Sequence, residues 1–218
     1  MCNEAARRIA LDQLRVDWSE IRIPLRFPEG LPNFQPTDSI RITDPAPIIR
    51  LAADPPAANE PPGAEMVTRP WSWPAPSGKP VYTFRSVGRE FRNGPKQGRC
   101  LIPIDGFYEF TDVEPLPSEG SARSKRPPKA KWEFRVTGLD WFCVAGLWRS
   151  DVALKDGGAG EAWTMLTCPP GPDIAPYHDR QIVLLTPPDY ARWLDGSAPA
   201  ADLCRPLPAG TLAVTRVR

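Results

Sequence analysis

The chain has 218 residues, 41% hydrophobic and 24% charged, which argues against wholesale disorder and suits one domain with its own core. Its 29 prolines and 16 glycines, about a fifth of the chain together, argue against a helical bundle or coiled coil, because each interior proline costs roughly 3 kcal/mol of helix. Lys and Arg number 27 against 26 for Asp and Glu, so a nucleic-acid partner would have to be held by a local patch rather than by overall charge.

There is no run of about 18 apolar residues and no basic-then-apolar leader, so the expectation is a cytoplasmic protein that neither spans a membrane nor is secreted. The five cysteines, Cys2, Cys100, Cys143, Cys168 and Cys204, are widely spaced and odd in number, without the pairing of a zinc site or a disulfide framework. With one histidine in the chain, neither a metal nor a cofactor is expected.

Along the chain, a helix is predicted after Asn3, with Ala5, Ala6, Ile9, Ala10 and Leu14 at helical spacing and Asn3 as its cap. Short alternating stretches at 21–26 and 39–42, broken by prolines, read as edge strands and turns. Residues 51–63 are rich in Pro and Ala and read as a surface loop. Strands are predicted at 80–85, 99–103 and 107–111, the last two joined at Asp105 and Gly106 as a hairpin or a bulged bend. A polar surface loop at 112–131 separates these from further strands at 132–136, 140–148, 162–168, 181–185 and 211–217. A short helix should begin at Thr186 and Pro187, with Tyr190, Ala191, Trp193 and Leu194 as its inner face before Gly196. The sum is an α+β, predominantly β single domain over residues 1–218 with a few short flanking helices.

Cys2 carries the most distinctive chemistry. Removal of Met1 would leave a residue with both an α-amine and a thiol, groups that titrate near about 8 and about 8.5 and are partly nucleophilic near neutrality. An aldehyde can condense with the amine to an imine, after which the thiol closes a five-membered ring on the same carbon. Taken alone, position 2 suits an incidental small residue beside the initiator methionine more readily.

Glu109 sits between Tyr108 and Phe110, where apolar neighbours raise a carboxyl pKa and suit it to proton transfer; strand alternation places it on one face with Phe107. His178 precedes an apolar strand and forms a polar cluster with Asp179 and Arg180. Arg85 shares a strand face with Thr83, a pairing suited to phosphate or carboxylate. Arg123, Lys125, Arg126, Lys129, Lys131 and Arg135, opposed only by Glu133, suggest polyanion contact or a solvated loop. Trp71 and Trp73, in a proline-rich segment, could present aromatic faces to unpaired bases or belong to the core.

Taken in order, Met1-Cys2-Asn3, Pro32-Asn33-Phe34-Gln35-Pro36-Thr37, Pro70 with Trp73, Phe84-Arg85-Ser86, Arg99-Cys100-Leu101-Ile102-Pro103, Gly106-Phe107-Tyr108-Glu109-Phe110 and His178-Asp179-Arg180 run over essentially the whole chain. The set resembles the SOS response-associated peptidase family of abasic-site processing proteins. The resemblance implies a β-barrel-like sheet with small helices, single-stranded DNA as partner, and capture of abasic sites as a thiazolidine crosslink, by a protein involved in DNA damage. Carried over, Cys2 is the covalent residue, Glu109 and His178 move protons, and Arg85, with Thr83, Trp71, Trp73 and Arg180, contacts DNA. No metal, cofactor or membrane is implied, and a monomer is expected.

Thr83 and Val87 stand where the family's N-x-R-x-E motif has asparagine and glutamate, and Asn3 and Glu4 replace a glycine and an arginine. A glutamate at that point would repel a nearby phosphate. The alternatives are a cysteine autoprotease or hydrolase with His178 as base, or a noncatalytic single-stranded DNA-binding module; lyase activity is a further reading of the resemblance.

Overall fold

The computed structural model describes residues 2–52, 63–113, 129–154 and 157–218. Its first elements are β1 (Glu4–Arg7), α1 (Leu11–Glu20), β2 (Leu25–Arg26), β3 (Thr37–Arg41), β4 (Pro45–Leu51), β5 (Ala64–Pro70), β6 (Trp73–Pro74), β7 (Pro80–Val81) and β8 (Thr83–Arg85). There follow β9 (Gln97–Ile104), β10 (Gly106–Thr111), β11 (Ala130–Val136), β12 (Phe142–Ala153), β13 (Ala159–Cys168), β14 (Gln181–Ile182) and β15 (Leu184–Leu185). The chain closes with α2 (Pro187–Asp195), α3 (Ala200–Leu203) and β16 (Leu212–Arg216).

Alternation sorts the apolar residues of the central strands onto two faces. Ile48, Ile102, Val144 and Met165 point one way, while Ile49, Leu101, Ala145 and Leu166 point the other, and all eight are buried. A strand buried on both faces reads as a continuous apolar run, and the nine-stranded sheet ordered β14-β13-β12-β9-β4-β5-β2, with β8 and β15 attached to β13 and β12, is of this kind. On one side it meets Leu14 and Trp18 of α1 and Tyr190, Trp193 and Leu194 of α2. On the other it meets the inner face of a five-stranded sheet, ordered β16-β11-β10-β1-β3, through Ala5, Ile40, Phe107 and Phe134. The α+β, β-dominated class is as expected, but the barrel is not: neither sheet closes on itself. The end strands β16 and β3, and β14 and β2, do not pair, because burial is achieved by packing two open sheets and a helical layer rather than by joining edges.

The start of the chain is a second correction. The expected helix from Asn3 begins only at Leu11, and Glu4–Arg7 is strand β1, inserted between β10 and β3 with all four residues buried. Pairing on both sides outweighs the helical propensity of this short segment. The prolines that obscured β4 occupy its less constrained end: Pro45 and Pro47 face only β5, whereas β9 pairs with β4 at Ile49 and Arg50. The bend after β9 is no hairpin, since β9 lies in the larger sheet and β10 in the smaller. The α2 prediction matches, with Pro187 at the first turn and Gly196 ending the helix at φ 75°.

Of the two loops expected at 51–63 and 112–131, residues 53–62 and 114–128 lie outside the described residues, among them Arg123, Lys125 and Arg126. Ala130 and Lys131 already belong to β11, so the second loop ends earlier than expected. No helix among the described residues is long and apolar enough to cross a membrane.

Gly146 shows how tightly the sheet is packed. A Cβ there would lie 2.3 Å from Ile102 Cδ1, 2.8 Å from the Thr164 carbonyl and 3.0 Å from Cys100 Sγ. Gly146→Ala should therefore lose about 1–3 kcal/mol through overpacking, read as a lowered midpoint in a urea titration.

Candidate active site

Strand β1 runs antiparallel to β10 with Ala5 opposite Phe107, which brings Cys2, two residues ahead of the strand, alongside Glu109. Cys2 is 1% exposed; its thiol donates to the Glu4 carbonyl at 3.4 Å, and its backbone N–H hydrogen-bonds to the Glu109 carboxyl. Glu109, also 1% exposed, shares its face with Phe107, as alternation requires, and lies opposite Trp132 of β11. Burial pushes its pKa up to about 7, with the Cys2 amide opposing the rise and Asp179 adding to it. Burial, and then the nearby Glu109 charge, pushes the Cys2 thiol well above its ordinary value, so this sulfur rests as a thiol.

The segment carrying His178 approaches the same face. Tyr177 packs edge-on against Trp132 at 4.9 Å and against Phe134 at 5.2 Å, the β11 residues opposite Glu109 and Phe107. His178 Nδ1 receives the Arg180 backbone N–H at 3.1 Å and lies 2.7 Å from Asp179 Oδ1. These contacts demand different states of Nδ1, an acceptor for the first and a proton carrier for the second. Burial lowers the imidazole pKa, which favours the neutral ring accepting from Arg180 and carrying its proton on Nε2.

Arg180 extends the site toward Arg85. Its guanidinium donates to the Thr167 hydroxyl at 2.8 Å and carbonyl at 3.0 Å. Thr167 pairs in register with exposed Arg85 on the parallel strand β8, so both arginines are neighbours of one threonine, while Thr83 lies two positions earlier opposite Met165. Ser86 donates to the same carbonyl through its backbone at 3.0 Å and its hydroxyl at 2.9 Å. Nothing in the sequence marks Thr167, an interior strand threonine, as the residue joining these groups.

Two expectations about this surface change. Trp71 is fully buried and stacked on Trp163 at 5.2 Å, and Trp73 is 8% exposed beneath Arg149, so the core reading of this pair holds in place of open stacking platforms. Glu4 does not confront a phosphate: it is buried and accepts from Ser39 at 2.5 Å and Lys131 at 2.9 Å. Burial would raise its pKa, but these bonds outweigh it and hold the carboxyl below its usual value. Lys131 is thereby committed to Glu4.

Residues 84–218 match the sequence model of the family described as SOS response associated peptidase (SRAP). The chain belongs to this SRAP family. The match includes Arg85, Glu109, His178 and Arg180 and begins after Cys2 and Thr83. Among relatives of this SRAP chain are the abasic site processing proteins YobE and YoqW of Bacillus subtilis (strain 168), 30% and 29% identical over 105 residues. Each alignment covers 48% of this chain and 42% of the relative, so the chain spans less than half the length of these relatives. A crystal structure of a protein from Bordetella bronchiseptica superposes with a TM-score of 0.65 at 19% identity, covering 100% of both chains. One from Bacteroides thetaiotaomicron also gives 0.65, at 15% identity, covering 100% of this chain and 92% of that one. At these identities the likeness establishes the fold alone.

Glu109 makes stability depend on pH in a defined direction. Its folded carboxyl keeps its proton to about pH 7 against 4.5 for an ordinary one, so the folded state binds more protons in that window and stability falls as pH rises through it. Glu109→Gln should remove a decline of roughly 2–4 kcal/mol between pH 4.5 and 7, seen by comparing the two proteins in urea unfolding across that range.

Proposed function

We propose that this SRAP protein processes abasic sites in single-stranded DNA by covalent capture on Cys2. The observation that carries the reading is the hydrogen bond between the Cys2 nitrogen and the buried Glu109 carboxyl. Once Met1 is removed, that nitrogen is the α-amine, and it lies beside a group able to give and take a proton near neutrality.

In the proposed reaction the amine attacks the aldehyde carbon of the ring-opened sugar, forming a carbinolamine. Its hydroxyl leaves as water after protonation from Glu109, giving an iminium. The Cys2 sulfur then bonds to the same carbon, the iminium electron pair returns to nitrogen, and the thiol proton passes to the Glu109 carboxylate. The net change is one thiazolidine ring formed and one water lost. The raised thiol pKa suits this order, because the amine acts first and the sulfur needs a base only in the closing step. A cysteine hydrolase would instead require a thiol lowered by a partner such as His178, whereas burial and Glu109 act in the opposite direction. His178 assists ring opening through its Nε2–H, and Arg85 and Arg180 hold phosphates beside the lesion. A single strand is preferred, because reaching a sugar carbon inside a stacked duplex costs a few kcal/mol of unstacking.

The test is a denaturing gel after incubation with an abasic single strand, with intact-mass measurement of the protein. Active protein should begin at Cys2, and Cys2→Ala should abolish the gel-stable adduct while sparing noncovalent binding. Glu109→Gln should slow single-turnover crosslinking by about 10²–10⁴-fold, and His178→Ala should slow it less. Wild-type speed in the Gln variant, or an active protein that retains Met1, would sink this mechanism.

A further inference from the structure

Six of the eight tryptophans, Trp18, Trp71, Trp132, Trp141, Trp163 and Trp193, donate their indole N–H to an oxygen of the protein. Among the described residues the other two, Trp73 and Trp148, have no acceptor, and both line one cleft of about 400 Å³. The cleft sits at the Gln97 and Gly98 end of β9, whereas the opposite end of that strand leads through Asp105 into β10 and Glu109. At a rise of about 3.3 Å per residue the two ends of β9 are roughly 23 Å apart. Phe84 lines the cleft, so strand alternation turns it to the face of β8 opposite Arg85.

The charge of the cleft is unbalanced. Arg89, Arg92 and Arg149 are exposed on its wall, and among the described residues none forms an ion pair. Arg89 lies 4.7 Å over the Phe84 ring and Arg149 lies 5.4 Å over that of Trp73. The one acid of the lining, Glu90, is engaged elsewhere: it accepts the Ala200 backbone N–H at 3.0 and 3.1 Å and lies 3.6 Å from Arg99 Nη2. Trp148 is held by Arg50, whose guanidinium lies 4.1 Å from its ring and is itself paired with Glu65 at 2.7 Å and Glu161 at 3.0 Å. Opposite Trp148 in register is Gly98, where a Cβ would come within 2.9 Å of the indole nitrogen, so glycine keeps that donor uncrowded.

We propose that this cleft binds one nucleotide unit, its base against the Trp148 and Phe91 rings and its phosphate on Arg92 and Arg149. Planar rings suit any base, guanidinium forks suit phosphate oxygens, and the two indole N–H groups suit oxygens of base or sugar. The volume lies in the range of small-molecule sites. The unit is either a free mononucleotide or one residue of a single strand, and the site is independent of the chemistry at Cys2.

The test is calorimetric titration of the full chain with deoxyadenosine monophosphate, with deoxyadenosine and inorganic phosphate separately, and with a short undamaged oligothymidylate. The Arg92→Ala/Arg149→Ala double variant should weaken binding of the monophosphate or the oligonucleotide by about tenfold or more, as expected for lost charge-assisted hydrogen bonds. Trp148→Phe, which keeps a ring but removes the N–H, should weaken it less. Arginine-dependent binding of the oligonucleotide alone assigns the cleft to a strand, and arginine-dependent binding of the monophosphate assigns it to a free nucleotide. No binding in either arm, binding indifferent to the double variant, or phosphate bound as tightly as the monophosphate overturns the proposal. Crosslinking to an abasic strand is measured on the same preparations, so its absence with cleft binding intact counts against the Cys2 mechanism alone.

Discussion

The structure turns on the contact between Asp105 and the segment leaving β1. Asp105 is the single residue between β9, in the larger sheet, and β10, in the smaller one. Its carboxylate accepts the backbone N–H groups of Arg8 and Ile9 and the Arg8 guanidinium, and its own N–H donates to the Ala6 carbonyl. Arg8 also reaches Asp38, Glu133 and the Tyr108 hydroxyl, tying β1 to β3, β10 and β11. Asp105 is 3% exposed, and removing the partner of such a buried charge costs about 3–5 kcal/mol. With this junction fixed, β1 has one register on β10, and Cys2 is delivered to Glu109 rather than to its neighbours on the other face.

Burial then sets the chemistry. Glu109 titrates near 7 because it is on the inward face of β10, with Phe107, while Tyr108 points the other way and bonds Arg8. The carboxylates on the outward side are neutralised by named partners, Glu4 by Lys131 and Ser39, and Glu133 by Arg8. Glu4 and Glu133 are thus held in ion pairs with cations distant in sequence, and the carboxyl turned inward is the one that burial holds protonated toward neutrality.

The same sheet separates two cationic surfaces. Alternation along β8 puts Arg85 on the side of Thr167 and Arg180, and Phe84 on the side of Arg89 and Arg149. An overall charge near +1 conceals this distribution, since acids such as Glu65 and Glu161 are paired with Arg50 while these arginines have no carboxylate partner among the described residues.

By itself the sequence determined what local pattern can determine. Alternation and apolar runs located β9 through β13, Pro187 and Gly196 bounded α2, and Glu109 and Phe107 were rightly placed on one strand face. The ordered motifs named the family. Tertiary structure decided the rest, because it depended on partners distant in sequence. Residues 4–7 are a strand only because β3 and β10 lie on either side, and prolines fit in β4 only where its second neighbour is absent. Two open sheets replaced a barrel because pairing of edge strands leaves no local trace, and Trp71 became core through Trp163, more than ninety residues away. A side chain's type was legible from the chain; its burial and its partner, which set its pKa and its use, were fixed only when the sheets came together.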